Sequence, residues 1–209
     1  MNNKKIKYLC YLAGAMEFAS MKEMKSWRED IKERLKPYGI VFYDPVEREG
    51  DKVHRNPKEQ GEYIKGLKQG GKWDLFHEEL RKIYWGSIDI SKMDKMRILI
   101  YLNEKGKLEG NYETDLQYWG DFEAVARSNF IIVYYPKDIQ TVGTIEECFI
   151  AYLLEIPIYL ILPDSTKTEC SSTLVDRATI SGGQIFYSIK DCCDYIIEKY
   201  KLKEQTNIK

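Results

Sequence analysis

Histidine is nearly absent from this 209-residue chain. The two present, His54 and His77, have no partner at ligand spacing, and His77-Glu78-Glu79-Leu80-Arg81 lacks the second histidine of a helical zinc-hydrolase motif. No metal site and no cofactor are therefore expected. There is no Cys-x-x-Cys pair either. The five cysteines are odd in number and Cys192 adjoins Cys193, so they read as reduced, mostly buried small residues rather than a disulfide framework. No apolar run approaches the length that crosses a bilayer, and Met1 to Lys5 precede a segment too short and too rich in tyrosine for a signal peptide. A cytoplasmic protein with no membrane partner is expected. Neither sign of charge is in excess: 32 basic against 33 acidic residues leave −1, with no basic block interleaved with aromatics, which argues against a nucleic-acid partner. Internal repeats and low-complexity linkers are also missing, so residues 1–209 read as one domain.

What is present alternates between short apolar runs and helical periods. Ile6 to Gly14 reads as a strand ending at glycine, followed by a helix from Met21 to Leu35. Met24, Trp27, Ile31 and Leu35 recur at helical spacing on its buried face, and Pro37 with Gly39 ends it. Ile40 to Tyr43 is a second strand, stopped by Asp44-Pro45. The small residues Ala13, Gly14 and Ala15, with Met16 after them, let backbone approach a ligand. Ser20 either caps the helix or touches a phosphate, capping being the simpler role.

The organising stretch runs from Phe130 to Pro163. Phe130 to Pro136 and Ile156 to Leu162 are apolar runs suited to a parallel sheet covered on both faces, and the segment between them has the length of a crossover helix. Ligands of such sheets bind at the carboxyl ends of the strands, which puts Gly143-Thr144 at the start of a helix beside the pocket and Glu147 one turn in. Positions 143, 147 and 151 share one stripe, so Glu147 sits between a glycine and an alanine with room for a ligand. The helix start favours an ionised carboxylate, the form a nucleophile needs. On spacing alone the plainer role, an early acid that stabilises the helix, stands first.

Residues 47 to about 115 break every period with glycines and charges and read as an insertion. Within it Glu59 to Lys68 and Trp73 to Trp85 suit short helices, Met96 to Leu102 a strand, and Asn103 to Gly106 a turn. Trp73, Phe76, Trp85, Tyr118 and Trp119 either line a pocket for a flat ring or belong to the core. The insertion, taken from Gly50 to Gly120, either closes over a ligand and stacks an aromatic on it or extends a sheet edge or an oligomer interface. Asp115 to Arg127 then reads as a helix, Thr173 starts another, Gln184 to Tyr187 is a strand, Lys190 to Lys201 the last helix, and the final eight residues a polar tail. Alternating βα units predict an α/β, three-layer sandwich with a mainly parallel, flavodoxin- or Rossmann-like sheet and a central insertion. The aromatic load, 16 Tyr, 4 Trp and 7 Phe, exceeds what one such sandwich readily buries and predicts interface use of some rings.

Several of these stretches together resemble the nucleoside 2-deoxyribosyltransferase family and its deoxynucleoside 5′-monophosphate N-glycosidase relatives. They are Tyr11-Leu12-Ala13-Gly14, then Asp121 ahead of Ser128-Asn129-Phe130-Ile131-Ile132-Val133, then Gly143-Thr144-Ile145-Glu146-Glu147 followed by Ala151 and Pro157. The resemblance covers the first forty-odd residues and Asp121 to about Leu162. It rests on the order and spacing of the motifs more than on any one of them.

The resemblance implies that Glu147, not Glu146, is the nucleophile, that Tyr11 orients it, and that Asp121 contacts the base or handles its proton, with Asp115 the fallback. It implies a ligand-binding shell at Gly14, Ala15, Met16, Ser20, Asn129, Gly143 and Thr144. Asn129 stands where the family has an aspartate, and Thr141, with Asp138 three residues earlier, stands where an acid is often found. The implied reaction is displacement at C1′ of a deoxynucleoside or deoxynucleotide through a covalent deoxyribosyl-glutamate, with a second base or water as acceptor. A homo-oligomer, dimer or larger, is implied as well. Two other classes stay open: a non-catalytic nucleotide sensor on the same sandwich, or an NAD- or nucleotide-signal-cleaving enzyme of related α/β fold.

Overall fold

A computed structural model describes residues 8–16, 19–47, 57–86, 93, 95–107, 119–137, 141–163 and 170–205. Five strands, β1 (Tyr8–Gly14), β2 (Ile40–Tyr43), β3 (Phe130–Tyr134), β4 (Ile158–Ile161) and β5 (Gln184–Phe186), form one all-parallel sheet in the order β2-β1-β3-β4-β5. Both faces are covered, as the continuous apolar runs require. Alternation along β1 divides the core. Leu9, Tyr11 and Ala13 point to one layer with Ile131, Val133, Ile158 and Leu160, whereas Cys10 and Leu12 point to the other with Phe130, Ile132, Tyr159 and Ile161.

The second of these layers is closed by α1 (Met21–Leu35) and by the last helix of the chain, through Trp27, Ile31, Leu35, Cys192, Cys193 and Ile196. Residue 20 starts α1 with a reciprocal cap: Glu23 N–H donates to Ser20 Oγ at 3.2 Å and Ser20 N–H donates to Glu23 Oε2 at 2.7 Å. Those hydrogen bonds hold the Glu23 carboxyl below its usual range. Gly39 follows α1 and the short 3-10 turn Lys36–Tyr38 at φ 77°, the left-handed conformation glycine adopts without strain.

The insertion forms α2 (Pro57–Gln69), α3 (Trp73–Trp85) and α4 (Lys95–Lys107). The first two match the helical periods. The third corrects the strand expected over Met96–Leu102 and the turn expected after it, because one helix runs through both. A short apolar run is compatible with either state, and this one is bounded by Lys95 and by Glu104, Lys105 and Lys107, good helix formers, with Leu102 fully buried. α5 (Asp121–Arg127) is shorter than the helix expected from Asp115, since Gly120 is extended at φ −77°, ψ 166° and serves as its N-cap. α6 (Val142–Leu153), α7 (Ser172–Ile180) and α8 (Ile189–Lys199) complete the chain close to the expected positions. The start of the expected polar tail is docked: Leu202 packs on the core and Gln205 N–H donates to the Pro37 carbonyl at 2.8 Å. Asp115, Tyr118, Asp138 and His54 lie outside the described residues.

Candidate functional site

In this strand order the chain leaves β1 toward β2 and later returns to its other side with β3, so the crevice for ligands falls at the carboxyl ends of β1 and β3. A cavity of about 640 Å³ lies there. Gly14 and Met16 line it from the end of β1, Ser20 from the start of α1, Asp121 from α5, and Gly143, Thr144 and Glu147 from α6. Four separate stretches of sequence thus meet at one place.

Glu147 is 7% exposed, on the face of α6 that also buries Thr144, Cys148 and Ala151. Tyr11 comes from the middle of β1 and donates its hydroxyl proton to Glu147 Oε1 at 2.6 Å. The Tyr11 hydroxyl is held well above its ordinary pKa, first by burial and then by the negative charges of Asp121 and Glu147. It stays protonated at any working pH, so the carboxylate always faces a donor. A phenol bound to one oxygen fixes the plane of the carboxylate without neutralising it. That is a suitable arrangement for a nucleophile. Asp121, 2% exposed, is the first residue of α5 and accepts from the Tyr43 hydroxyl at 3.2 Å.

The remaining sequence-expected residues divide. Thr144 is buried, and Thr141 donates its hydroxyl to Thr144 Oγ1 at the entry of α6. Ser20 lines the cavity while acting as a cap, so both roles proposed for it are compatible. Ala15 is buried next to the rim without lining the cavity. Asn129 lies at the opposite, amino end of the sheet. Its Oδ1 accepts from Leu9 N–H at 2.7 Å while its own N–H donates to the Leu9 carbonyl at 2.8 Å, so it fastens β3 to β1 at a distance from the ligand crevice. Expecting it in the binding shell is corrected on that ground: the residue before a parallel strand is at its amino end, and ligands of such sheets bind at the carboxyl end.

Three features were not legible in advance. The first is Tyr43, whose ring stacks on Tyr11 with centroids 5.4 Å apart and planes 12° from parallel. The second is the buried ion cluster at Asp44, which the sequence offered only as a strand stop. Arg28 Nε lies 3.1 Å and Lys32 Nζ 2.5 Å from its carboxylate, and an Arg28 N–H also donates to the Gly14 carbonyl at 3.3 Å. These contacts tie the carboxyl ends of β1 and β2 to α1 and keep the cavity rim in place. Charges this deeply buried are tolerated because each has an opposite partner.

The third is which residues of the insertion line the cavity, since the sequence left its ligand-closing and assembly roles open and pointed to other aromatics. Helices α2 and α3 form one side of the cavity through Gln60, Ile64, Leu80, Ile83 and Tyr84. The expected aromatics behave otherwise. Trp73 is 53% exposed, Trp119 is a core residue, and Trp85 sits edge-on to Phe122, none of them lining the cavity. Tyr84 does so instead, stacked on Phe122 at 4.9 Å. Gly120 makes this approach possible, because a Cβ there would collide with the backbone of Tyr84, Trp85 and Gly86. Lys58, Lys65 and Lys68 of α2 also border the cavity.

Among the described residues no group of three His, Cys, Asp or Glu side chains is placed to hold a metal ion, and no helix is long and apolar enough to cross a membrane. In comparisons with known proteins, no family model matches the chain and no curated protein matches it.

Proposed function

We propose that the protein cleaves the N-glycosidic bond of a deoxynucleoside or its 5′-monophosphate, with Glu147 as nucleophile, in the manner of the nucleoside 2-deoxyribosyltransferases that its motifs resemble. The observation that carries this reading is the 2.6 Å hydrogen bond from the buried Tyr11 to Glu147, a glutamate that lines a cavity together with Asp121. A Glu147 oxygen attacks C1′ while the C1′–N bond breaks with its electron pair going to the base, and the Asp121 carboxyl delivers the proton the departing base needs. The deoxyribosyl ester on Glu147 then passes C1′ to water or to a second base, with Asp121 accepting the proton of that acceptor. No cofactor enters this sequence.

Three lysines on α2 support a substrate that carries a phosphate, because Lys58, Lys65 and Lys68 against the single acid Glu62 leave that helix's contribution to the cavity lining net positive. We extend the proposal to a homo-oligomer, supported by apolar side chains exposed on α6 and α7. The test is release of free base from deoxynucleosides, deoxynucleoside 5′-monophosphates and NAD, each offered separately. Release from the deoxy compounds is the expected result, with the monophosphates preferred. Release from NAD alone would move the assignment to a nucleotide-signal enzyme, and release from none to a sensor.

A further inference from the structure

We propose that Tyr43 is a positioning residue for Asp121, the counterpart of what Tyr11 is for Glu147, and that its hydroxyl serves both protonation states of that carboxyl. The inference rests on the acid role given to Asp121 above. Tyr43 is the last residue of β2, fully buried, and its hydroxyl has two partners that belong to one short segment: the Trp119 carbonyl at 2.9 Å and Asp121 Oδ1 at 3.2 Å. A core tyrosine that needed only one partner would be satisfied by the carbonyl. Here one hydroxyl grips both the backbone that leads into α5 and the side chain that α5 presents to the cavity.

A phenol carries one proton and two lone pairs, so it can direct its proton to an ionised carboxylate or direct it to a carbonyl and accept from a protonated carboxyl. With Trp119 and Asp121 both in reach, Tyr43 has an acceptable arrangement before and after Asp121 gives its proton to a departing base. The proton balance of the reaction is unchanged, since Tyr43 keeps its own proton throughout. The Tyr11–Tyr43 stack adds a second consequence. The two rings lie 5.4 Å apart and nearly parallel, one hydroxyl on Glu147 and the other on Asp121, so the stack sets the separation of the two carboxyls across the cavity. Neither tyrosine lines the cavity itself. Both act through the groups they hold.

The experiment compares the wild-type chain with Tyr43→Phe, which removes the hydroxyl and keeps the stacked ring, and with Tyr11→Phe as reference. Two quantities are read: steady-state base release, and the carbon-13 signals of the side-chain carboxyls of Asp121 and Glu147 at neutral pH. Tyr43→Phe is expected to lower kcat about tenfold or more with KM within about twofold and to move the Asp121 signal. Tyr11→Phe is expected to move the Glu147 signal most. Placing 3-fluorotyrosine at position 43 keeps ring and hydroxyl, and is expected to restore kcat and the Asp121 signal even if the Phe variant folds poorly. An Asp121 signal that does not change in Tyr43→Phe overturns the proposal whatever the kinetics, as does a Phe variant with wild-type kcat. If the wild-type chain releases no base from any substrate, the proposed function fails, and the Asp121 signal alone then decides the positioning role.

Discussion

Tyr11 and Glu147 are 136 positions apart in the sequence, yet the hydroxyl of one donates to the carboxylate of the other at 2.6 Å, joining the middle of β1 to α6, the crossover helix between β3 and β4. Glu146, the neighbouring acid, is exposed and points away. The geometry therefore separates the two glutamates.

Replacing Glu147 by Gln should reduce base release by at least about a thousandfold, since the covalent step is lost, while circular dichroism and the melting profile stay close to wild type. Glu146→Gln should be nearly silent. If Glu146 proves essential and Glu147 dispensable in the same assay, the assignment of the nucleophile fails.

Among the described residues of the insertion, Tyr84 is an aromatic that lines the cavity and Trp73 one that faces solvent. Tyr84→Ala should weaken substrate binding by roughly tenfold through loss of ring contact, whereas Trp73→Leu should leave affinity and turnover alone. Titration of deoxynucleotide into a Glu147→Ala background measures this without turnover. Equal affinities for the two variants would assign the insertion to assembly rather than to ligand contact.

Alkali should destabilise the fold through its buried thiols, the carboxylates being ionised already. Burial raises the thiols of Cys10, Cys148 and Cys192 and pushes Cys193 up to about 12. Unfolded thiols ionise near about 8.5, so above that pH the unfolded chain loses protons that the folded chain retains. Stability is thus fully present below about pH 8.5 and falls as pH rises from there toward 12. Urea midpoints measured between those limits check the sign, and Cys193→Ser should flatten part of the slope. The same burial predicts that thiol reagents label the native protein slowly.

Val142, Phe149 and Leu153 form an exposed stripe on α6 on the side away from Glu147, and Ile180 is exposed on α7 with Arg177 of the same helix lying over the Phe149 ring. Light scattering at micromolar concentration should give a mass above that of one chain, and Phe149→Lys should lower it. A wild-type mass equal to one chain throughout would end the oligomer proposal and leave the catalytic one standing.

The sequence by itself determined the sheet and most of its helices. Apolar runs such as Phe130–Tyr134 and Ile158–Ile161 lie between helices and are buried on both faces, so their composition reports their state directly. The same holds for the capping box at Ser20 and for the Gly143–Glu147–Ala151 stripe, both local patterns whose partners lie within two turns. Only the tertiary structure decided the rest. A seven-residue apolar run at Met96–Leu102 carries no period that separates helix from strand, and packing against α5 settled it as helix. Tyr43, Asp44 and Tyr84 look in the sequence like a strand end, a turn acid and a core aromatic. Their roles arise from partners 78 residues away at Asp121, or on another helix at Arg28 and Phe122, and such pairings are set by the strand order that folds β1 between β2 and β3. Asn129 shows the converse: a motif position fixes which residue precedes the strand, but which end of the sheet meets the ligand is a property of the assembled topology.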